Sequence, residues 1–376
     1  MRNRSISAEE QPLKILHVIT TIDRGGAEKA LLALVSQQKK MGLDSTIFVL
    51  KGNLDLKDDF IQLDCPVVSK VANRNVLKQL FFLWKNVERF DILHCHLPRA
   101  EVLGSLTHRN IPIVVTKHNS ESMLPKNSGL GSRILGKFVY GRASQIICIS
   151  SAVRDFLVSK SELPDNLKKV NVVYYGIQDS EFPLKPRGTN EMKIKIGTIA
   201  RLEPQKNLFF FLDIISNLHQ TFPNLRAEIV GSGSLEKPLK SRIQELGLED
   251  CVSLRSKIAD VDSFYDSLDL FLFTSNYEGF GLVLLEAMNH KIPVVASKVS
   301  AIPEVLGDRH PGLVEANNLI AFVSTITNIF RHSADKLRLL NYQDKRLPLF
   351  SLDKYERSTF QIYQNVVVGY SSSDND

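Results

Sequence analysis

Short runs that are apolar on both faces recur along this chain, separated by helical patterns, and the whole alternation runs twice. The first series is KILHVIT (14–20), STIFVL (45–50), DILHCHL (91–97), IPIVVT (111–116) and QIICIS (145–150). In the stretch after the first run, Ala27, Leu31, Leu34 and Val35 fall on one helical face. A strand with no polar face has to be covered on both sides, which a parallel sheet flanked by crossover helices achieves. The series restarts with IKIGTIA (194–200), RAEIVG (226–231), CVSLRS (251–256), DLFLFT (269–274) and IPVVAS (292–297). Between them lies QDSEFPLKPRGTNEMK (178–193), whose prolines, glycine and mixed charge mark a hinge. The expectation is an α/β protein of two doubly wound domains facing across a cleft, with ligands beyond the carboxyl ends of the strands. Residues 1–12 read as a loose tail, 13–185 as the first domain and 186–350 as the second. Residues 351–370 read as a helix packing back across the hinge.

A length of 376 residues agrees with two domains rather than one core. Hydrophobic content of 43% beside 23% charged residues is that of a globular, ordered chain. No apolar run reaches the roughly 18–20 residues that span a bilayer, and MRNRSISAEEQPLK lacks the apolar stretch of a secretory signal. Cys65, Cys95, Cys148 and Cys251 are scattered without a CxxC pair, so free buried thiols and a cytoplasmic setting are expected. Charge is uneven: residues 1–188 hold 27 Lys and Arg against 18 Asp and Glu, whereas the remainder holds 20 against 23. A basic first half suits an anionic partner, such as the inner face of a membrane, or merely a solvated surface. The amphipathic stretches 78–90 and 132–142 add basic faces of the membrane-surface kind, although core-packed helices read the same way.

The densest chemistry lies in TSNYEGFGLVLLEAMNHKIPVVAS (274–297), a strand end, a glycine turn and a helix. The first amides of that helix have no intrahelical partner and carry partial positive charge, and glycines admit a phosphate to the backbone. Glu286, further along, suits the two hydroxyls of a ribose, and Glu278, in the turn, suits a sugar hydroxyl. Arg201 and Lys206, in IARLEPQKN after the first strand of the second series, supply cations at the same sheet edge. Fixed cations stabilise a diphosphate leaving group as charge develops on it, which favours the transition state over the ground state.

EGFGLVLLE, the preceding IARLEPQKN and the N-terminal GGAEKALL, in that order, resemble the retaining glycosyltransferases of family 4, over about residues 13–365. The resemblance implies the GT-B architecture of two Rossmann-like domains, the first for the acceptor and the second for a nucleotide-sugar donor. It implies that Arg201 and Lys206 bind the donor diphosphate, that Glu286 binds the ribose and that Glu278 lies near the donor sugar. The backbone around Phe280, Gly281 and Leu282 completes the phosphate site, and Lys257 and Ile258 meet the base. Gly25 and Gly26 form a tight turn that lets donor or acceptor approach the backbone. The resemblance also implies that His118, in VVTKHNSES, is an active-site residue contacting the donor sugar. The implied activity is transfer from a UDP- or GDP-sugar to an acceptor hydroxyl in bacterial surface polysaccharide, lipopolysaccharide or lipid-linked glycan assembly. Donor and glycan or glycolipid acceptor are then the partners, with no nucleic acid. A front-face route, in which the departing phosphate takes the acceptor's proton, suits the lack of an evident carboxylate nucleophile.

Two stretches imitate metal sites. His94 and His96 share one strand face, but no third ligand stands beside them in the sequence, and strand packing is the expectation. Asp260 and Asp262 have the Asp-x-Asp spacing, yet Asp260 precedes a helical pattern as an N-cap would. No metal or cofactor is expected, because Arg201, Lys206 and the helix terminus already balance the diphosphate. Rival readings are a nucleotide-sugar epimerase on the same architecture and a non-catalytic scaffold. A dehydrogenase fits worst, because TTIDRGGAEKA lacks the dinucleotide glycine spacing. Two departures from the family pattern stand out: Lys291-Ile292 before the PVVA strand, where relatives usually carry a glycine, and Ser300-Ala301, where they often carry a glycine pair in a loop expected near the donor sugar.

Overall fold

The computed structural model describes residues 12–373 apart from 108–110, 125–128, 165, 179–193, 257 and 259. The expected N-terminal tail and most of the expected hinge therefore lie outside the described residues. The chain divides into two compact units, one reaching Gly176 and resuming at Leu352, the other running from Ile177 to Ser351.

The first unit is built on β1 (Lys14–Ile19), β2 (Asp44–Val49), β3 (Val67–Val68), β4 (Ile92–His96), β5 (Ile113–Lys117), β6 (Gln145–Cys148) and β7 (Val170–Val172). They form one sheet in the order β3-β2-β1-β4-β5-β6-β7, every pairing parallel. The second unit has β8 (Lys195–Ile199), β9 (Arg226–Val230), β10 (Val252–Arg255), β11 (Leu270–Phe273), β12 (Val294–Ser297) and β13 (Leu313–Val314). Their order is β10-β9-β8-β11-β12-β13, again all parallel. In both sheets the strand order reverses once, between β1 and β4 and between β8 and β11. Connections leaving the two strands of such a pair diverge to opposite faces, so a crevice opens at their carboxyl ends. Each unit thus has one topologically favoured place for a ligand.

The apolar runs read from the sequence become these strands because their side chains on both faces are buried, as in Ile92–His96 and Ile113–Lys117. In the second unit the helix Leu208–Thr221 adds Leu208, Phe211, Leu212, Ile215 and Leu218 to the core at three- and four-residue spacing. Each such side chain contributes about 1.5–3 kcal/mol of burial. The helix Gly26–Lys40 departs from expectation. Leu31, Leu34 and Val35 are buried, but Ala27 is only half-buried, and the polar Glu28 and Gln38 are buried with them.

The C-terminal helix Leu352–Ser373 belongs to the first unit, where it packs against Gly26–Lys40 and buries Tyr355, Ile362, Tyr363 and Val366. All four cysteines are free and buried. Among the described residues no helix is long and apolar enough to cross a membrane.

Candidate active site

In the second unit the chain leaves β8 through Arg201, whose exposed guanidinium lies 3.3 Å from Gln205 Oε1. Pro204 starts a single tight turn, Pro204–Lys206, and Asn207 ends it in left-handed backbone (φ 51°, ψ 44°), a conformation asparagine tolerates. That turn delivers the ammonium of Lys206 to Glu278 as an ion pair in which the side chains are only 14% and 8% exposed. Ser275 Oγ donates to the same Glu278 oxygen at 2.7 Å, and the ammonium also lies 5.4 Å from the centroid of the Phe273 ring. Gln205 ties the two crevice loops together: its side chain donates to Tyr277 O at 2.9 Å, and its carbonyl accepts from Asn276 N at 2.8 Å. Arg201, Lys206 and Glu278 therefore converge at the β8/β11 reversal, where the topology places a ligand.

After β11 the backbone turns at Gly281 (φ 94°, ψ 56°), a left-handed position that favours glycine, and begins the helix Leu282–Asn289. The Phe280 side chain is 2% exposed and packs edge-on against Phe350 at 5.8 Å, so what this residue offers a ligand is its backbone. Leu282 and Glu286 are half-buried. Tyr265, fully enclosed in the core, donates its hydroxyl to Glu286 Oε2 at 2.7 Å and thereby aims the carboxylate. Sequence reasoning missed Tyr265, because nothing in VDSFYDS signals a partner 21 residues away.

A second support was equally hidden. Glu203 accepts from Ser234 N at 3.0 Å and from Ser234 Oγ at 2.7 Å, bonds that hold its carboxyl below the ordinary carboxylate range. They clamp the glycine turn after β9 onto the segment that carries Arg201. Cβ atoms at Gly231 and Gly233 would run into the backbone oxygens of Ala200 and Leu202, so this contact requires glycine. Ile258 is half-buried in the loop after β10, and Lys257 lies outside the described residues. Asp260 caps the helix Val261–Ser267, accepting from Ser263 N at 3.0 Å, and Asp262 lies 3.3 Å from His290.

The two departures share a backbone feature. Lys291 (φ 55°) and Ser300 (φ 44°) both adopt left-handed conformations, where a side chain costs roughly 1–2 kcal/mol relative to glycine. Lys291 partly offsets this through an ion pair with Asp344 at 2.7 Å.

In the first unit, Gly25 and Gly26 turn the chain from β1 into the helix Gly26–Lys40, but they serve different ends. A Cβ at Gly25 would strike the carboxylate of Glu28, which is 8% exposed and accepts from Thr21 Oγ1 at 2.6 Å. Gly25 thus makes room for the chain's own acid, whereas nothing lies within 4 Å of a Cβ at Gly26. His118 follows β5, as expected of a site residue, but it is nearly buried and both its ring nitrogens are engaged. Nε2 lies 2.9 Å from His96 Nδ1, and Nδ1 is bonded to the Tyr175 hydroxyl. Burial, reinforced by the neighbouring Lys117 charge, lowers its pKa to about 3. The expectation that His94 and His96 stand without a further ligand is corrected. His17 lies opposite His94 in the β1–β4 register, and the three buried histidines bring ring nitrogens within 4.8 Å of one another.

The sequence matches two family models: "Glycosyltransferase Family 4" over residues 24–181 and "Glycosyl transferases group 1" over residues 179–346. Among curated relatives, an Escherichia coli UDP-Gal:alpha-D-GlcNAc-diphosphoundecaprenol alpha-1,3-galactosyltransferase is 25% identical over 329 residues, covering 82% of this chain and 84% of that protein. The Rhizobium meliloti lipopolysaccharide core mannosyltransferase LpsB is 26% identical over 309 residues, covering 76% and 83%. Among solved structures, Anabaena HepE in complex with UDP superposes with a TM-score of 0.80 at 21% identity, covering 94% of this chain and 100% of that one. That likeness establishes the fold, two Rossmann-like parallel-sheet domains of the GT-B class. With consecutive family models spanning residues 24–346 and the reversal-point residues in their expected order, the chain belongs to the family 4 glycosyltransferases.

Proposed function

We propose that this glycosyltransferase transfers a sugar from a UDP- or GDP-sugar to a glycan or glycolipid hydroxyl, with retention of anomeric configuration and without a metal ion. The observation that carries the reading is the Lys206–Glu278 pair beside Arg201 at the β8/β11 reversal. Two protein cations there, together with the amides opening the helix Leu282–Asn289, balance a departing diphosphate. Glu278 is held by both Lys206 and Ser275, so it is an anchored acceptor for a sugar hydroxyl rather than a free nucleophile. That favours a front-face route in which an oxygen of the leaving phosphate takes the proton of the incoming hydroxyl. Crystal structures of HepE with UDP and with UDP-glucose lend support to a uridine donor. The names of relatives from diphosphoundecaprenol, lipopolysaccharide and O-antigen assembly lend support to a cell-surface glycan acceptor.

The test is calorimetry with UDP and GDP in excess EDTA, followed by transfer from the matching nucleotide sugar and assignment of the product anomer by NMR. Binding that requires magnesium, no nucleotide binding, or an inverted product would each sink the corresponding part of the proposal. Glu286→Gln is expected to raise the donor KM about tenfold or more, the magnitude of a charge-assisted hydrogen bond to the ribose. An unchanged KM removes Glu286 from that role.

A lipid-linked acceptor would bring the enzyme to a membrane surface. The first unit exposes Leu77, Phe81 and Trp84 along the helix Val76–Asn86, and Leu130, Ile134 and Phe138 along Gly129–Arg142. Lysine and arginine side chains accompany both stripes, as in helices that lie on anionic bilayers. Phe81→Ser and Ile134→Ser are each expected to weaken co-sedimentation with vesicles containing anionic lipid. Sedimentation equal to the parent protein's would exclude that helix from the contact.

A further inference from the structure

The core of the first unit holds a polar network that runs from the helix Gly26–Lys40 to His118. Gln38 Oε1 accepts from Ser45 Oγ at 2.8 Å and from His17 Nε2 at 3.0 Å. The chain continues from His17 Nδ1 to His96 Nε2 at 3.0 Å, from His96 Nδ1 to His118 Nε2 at 2.9 Å, and from His118 Nδ1 to the Tyr175 hydroxyl. A second branch leaves the other end of the same amide. Gln38 Nε2 donates to the Tyr363 hydroxyl at 3.3 Å, Tyr363 meets His94 Nδ1 at 2.6 Å, and His94 Nε2 meets Thr116 Oγ1 at 2.7 Å.

Hydroxyls and neutral imidazoles can each donate or accept, so either branch could run in either sense. Within this network only Gln38 has one end fixed as acceptor and the other as donor. Once its oxygen faces His17, every later bond follows. His17 must carry its proton on Nε2, so its Nδ1 accepts from His96 Nε2–H. In turn His96 Nδ1 accepts from His118 Nε2–H, and His118 Nδ1 accepts from the Tyr175 hydroxyl. On the other branch Tyr363 donates to His94 Nδ1, which leaves the His94 proton on Nε2, facing Thr116.

We propose that Gln38 is a positioning residue for His118, its amide imposing a single Nε2–H tautomer on His17, His94, His96 and His118. The proposal rests on the reading of His118 as a donor-site residue and deepens it. With both nitrogens committed to the interior, His118 is held as a rigid neutral ring that acts neither as an acid nor as a base. Burial lowers the pKa of all four rings, to about 4 for His17 and about 3 for His118, in keeping with neutral tautomers. The three clustered histidines also have metal-ligand proximity, but each of their ring nitrogens already has a protein partner.

The experiment uses full-length protein labelled with 15N-histidine and long-range 1H–15N correlation, which separates the two neutral tautomers from imidazolium. Expected are four non-titrating Nε2–H rings between about pH 5.5 and 8, the range bracketing an ordinary histidine. Tyr363→Phe should release only His94 into a tautomer mixture. Gln38→Met should do so for all four rings and lower kcat about three- to tenfold, the value of one hydrogen bond, with the donor KM held. Nδ1–H rings, a titrating His118, or zinc added to the protein shifting these signals at one equivalent would overturn the proposal. So would an unchanged kcat in folded Gln38→Met. If that variant does not fold, the parent spectrum and Tyr363→Phe decide. Absence of transfer by the parent enzyme would fail the functional reading instead, leaving the spectra intact.

Discussion

Lys206→Ala is expected to lower kcat by about 10²–10³-fold and to destabilise the second unit by about 3 kcal/mol. Both effects follow from the burial of the Lys206–Glu278 pair. Removing the ammonium takes a preorganised cation from the leaving group, and it leaves the Glu278 carboxylate enclosed beside Ser275 without its counter-charge. The two losses separate in a cycle. Lys206→Met combined with Glu278→Gln should recover most of the stability, because no buried charge is then left alone, yet none of the activity. Chemical denaturation and initial rates on the parent, Lys206→Met, Glu278→Gln and the double variant measure this. A double variant no more stable than Lys206→Met would show that the pair does not behave as a buried unit.

Arg201→Ala is expected to reduce kcat by about 10²-fold with no measurable change in thermal stability. The guanidinium is exposed and its partner is the neighbouring Gln205 at 3.3 Å, so the folded protein hardly relies on it. A charge-assisted bond contributes about 1.5–3 kcal/mol, and a contact strengthened as the diphosphate departs appears in kcat rather than KM. A variant that changes only the donor KM would place Arg201 in ground-state binding. The two cations thus differ: Lys206 is built into the unit by a buried ion pair, whereas Arg201 stands exposed.

Much of the fold was legible because burial on both faces leaves an apolar run in the sequence, and ten such runs became strands. The two-residue strands Val67–Val68 and Leu313–Val314 and the three-residue Val170–Val172 were not, since so few residues establish no period. At the site, Arg201, Lys206, Glu278 and Glu286 stand in short motifs beside strand ends, and topology alone carries such residues to one crevice. The groups that orient them were invisible. Glu203 and Tyr265 act on partners 31 and 21 positions away, and His17 meets His96 across 79. A polar residue carries no mark of the partner that satisfies it, and nothing in SQQKK (36–40) singles out Gln38 as buried.

The return of the helix Leu352–Ser373 to the first unit has a consequence for synthesis on the ribosome. Tyr363, 0% exposed, completes the hydrogen bonding of both Gln38 and His94, yet it emerges after every residue of the second unit. The second unit is contiguous and can close on itself while translation continues. The first, although begun earlier, keeps two polar groups of its interior unpaired until the helix Leu352–Ser373 has been made. A released chain truncated after Ser351 should therefore show a protease-resistant second unit joined to a loosened first one.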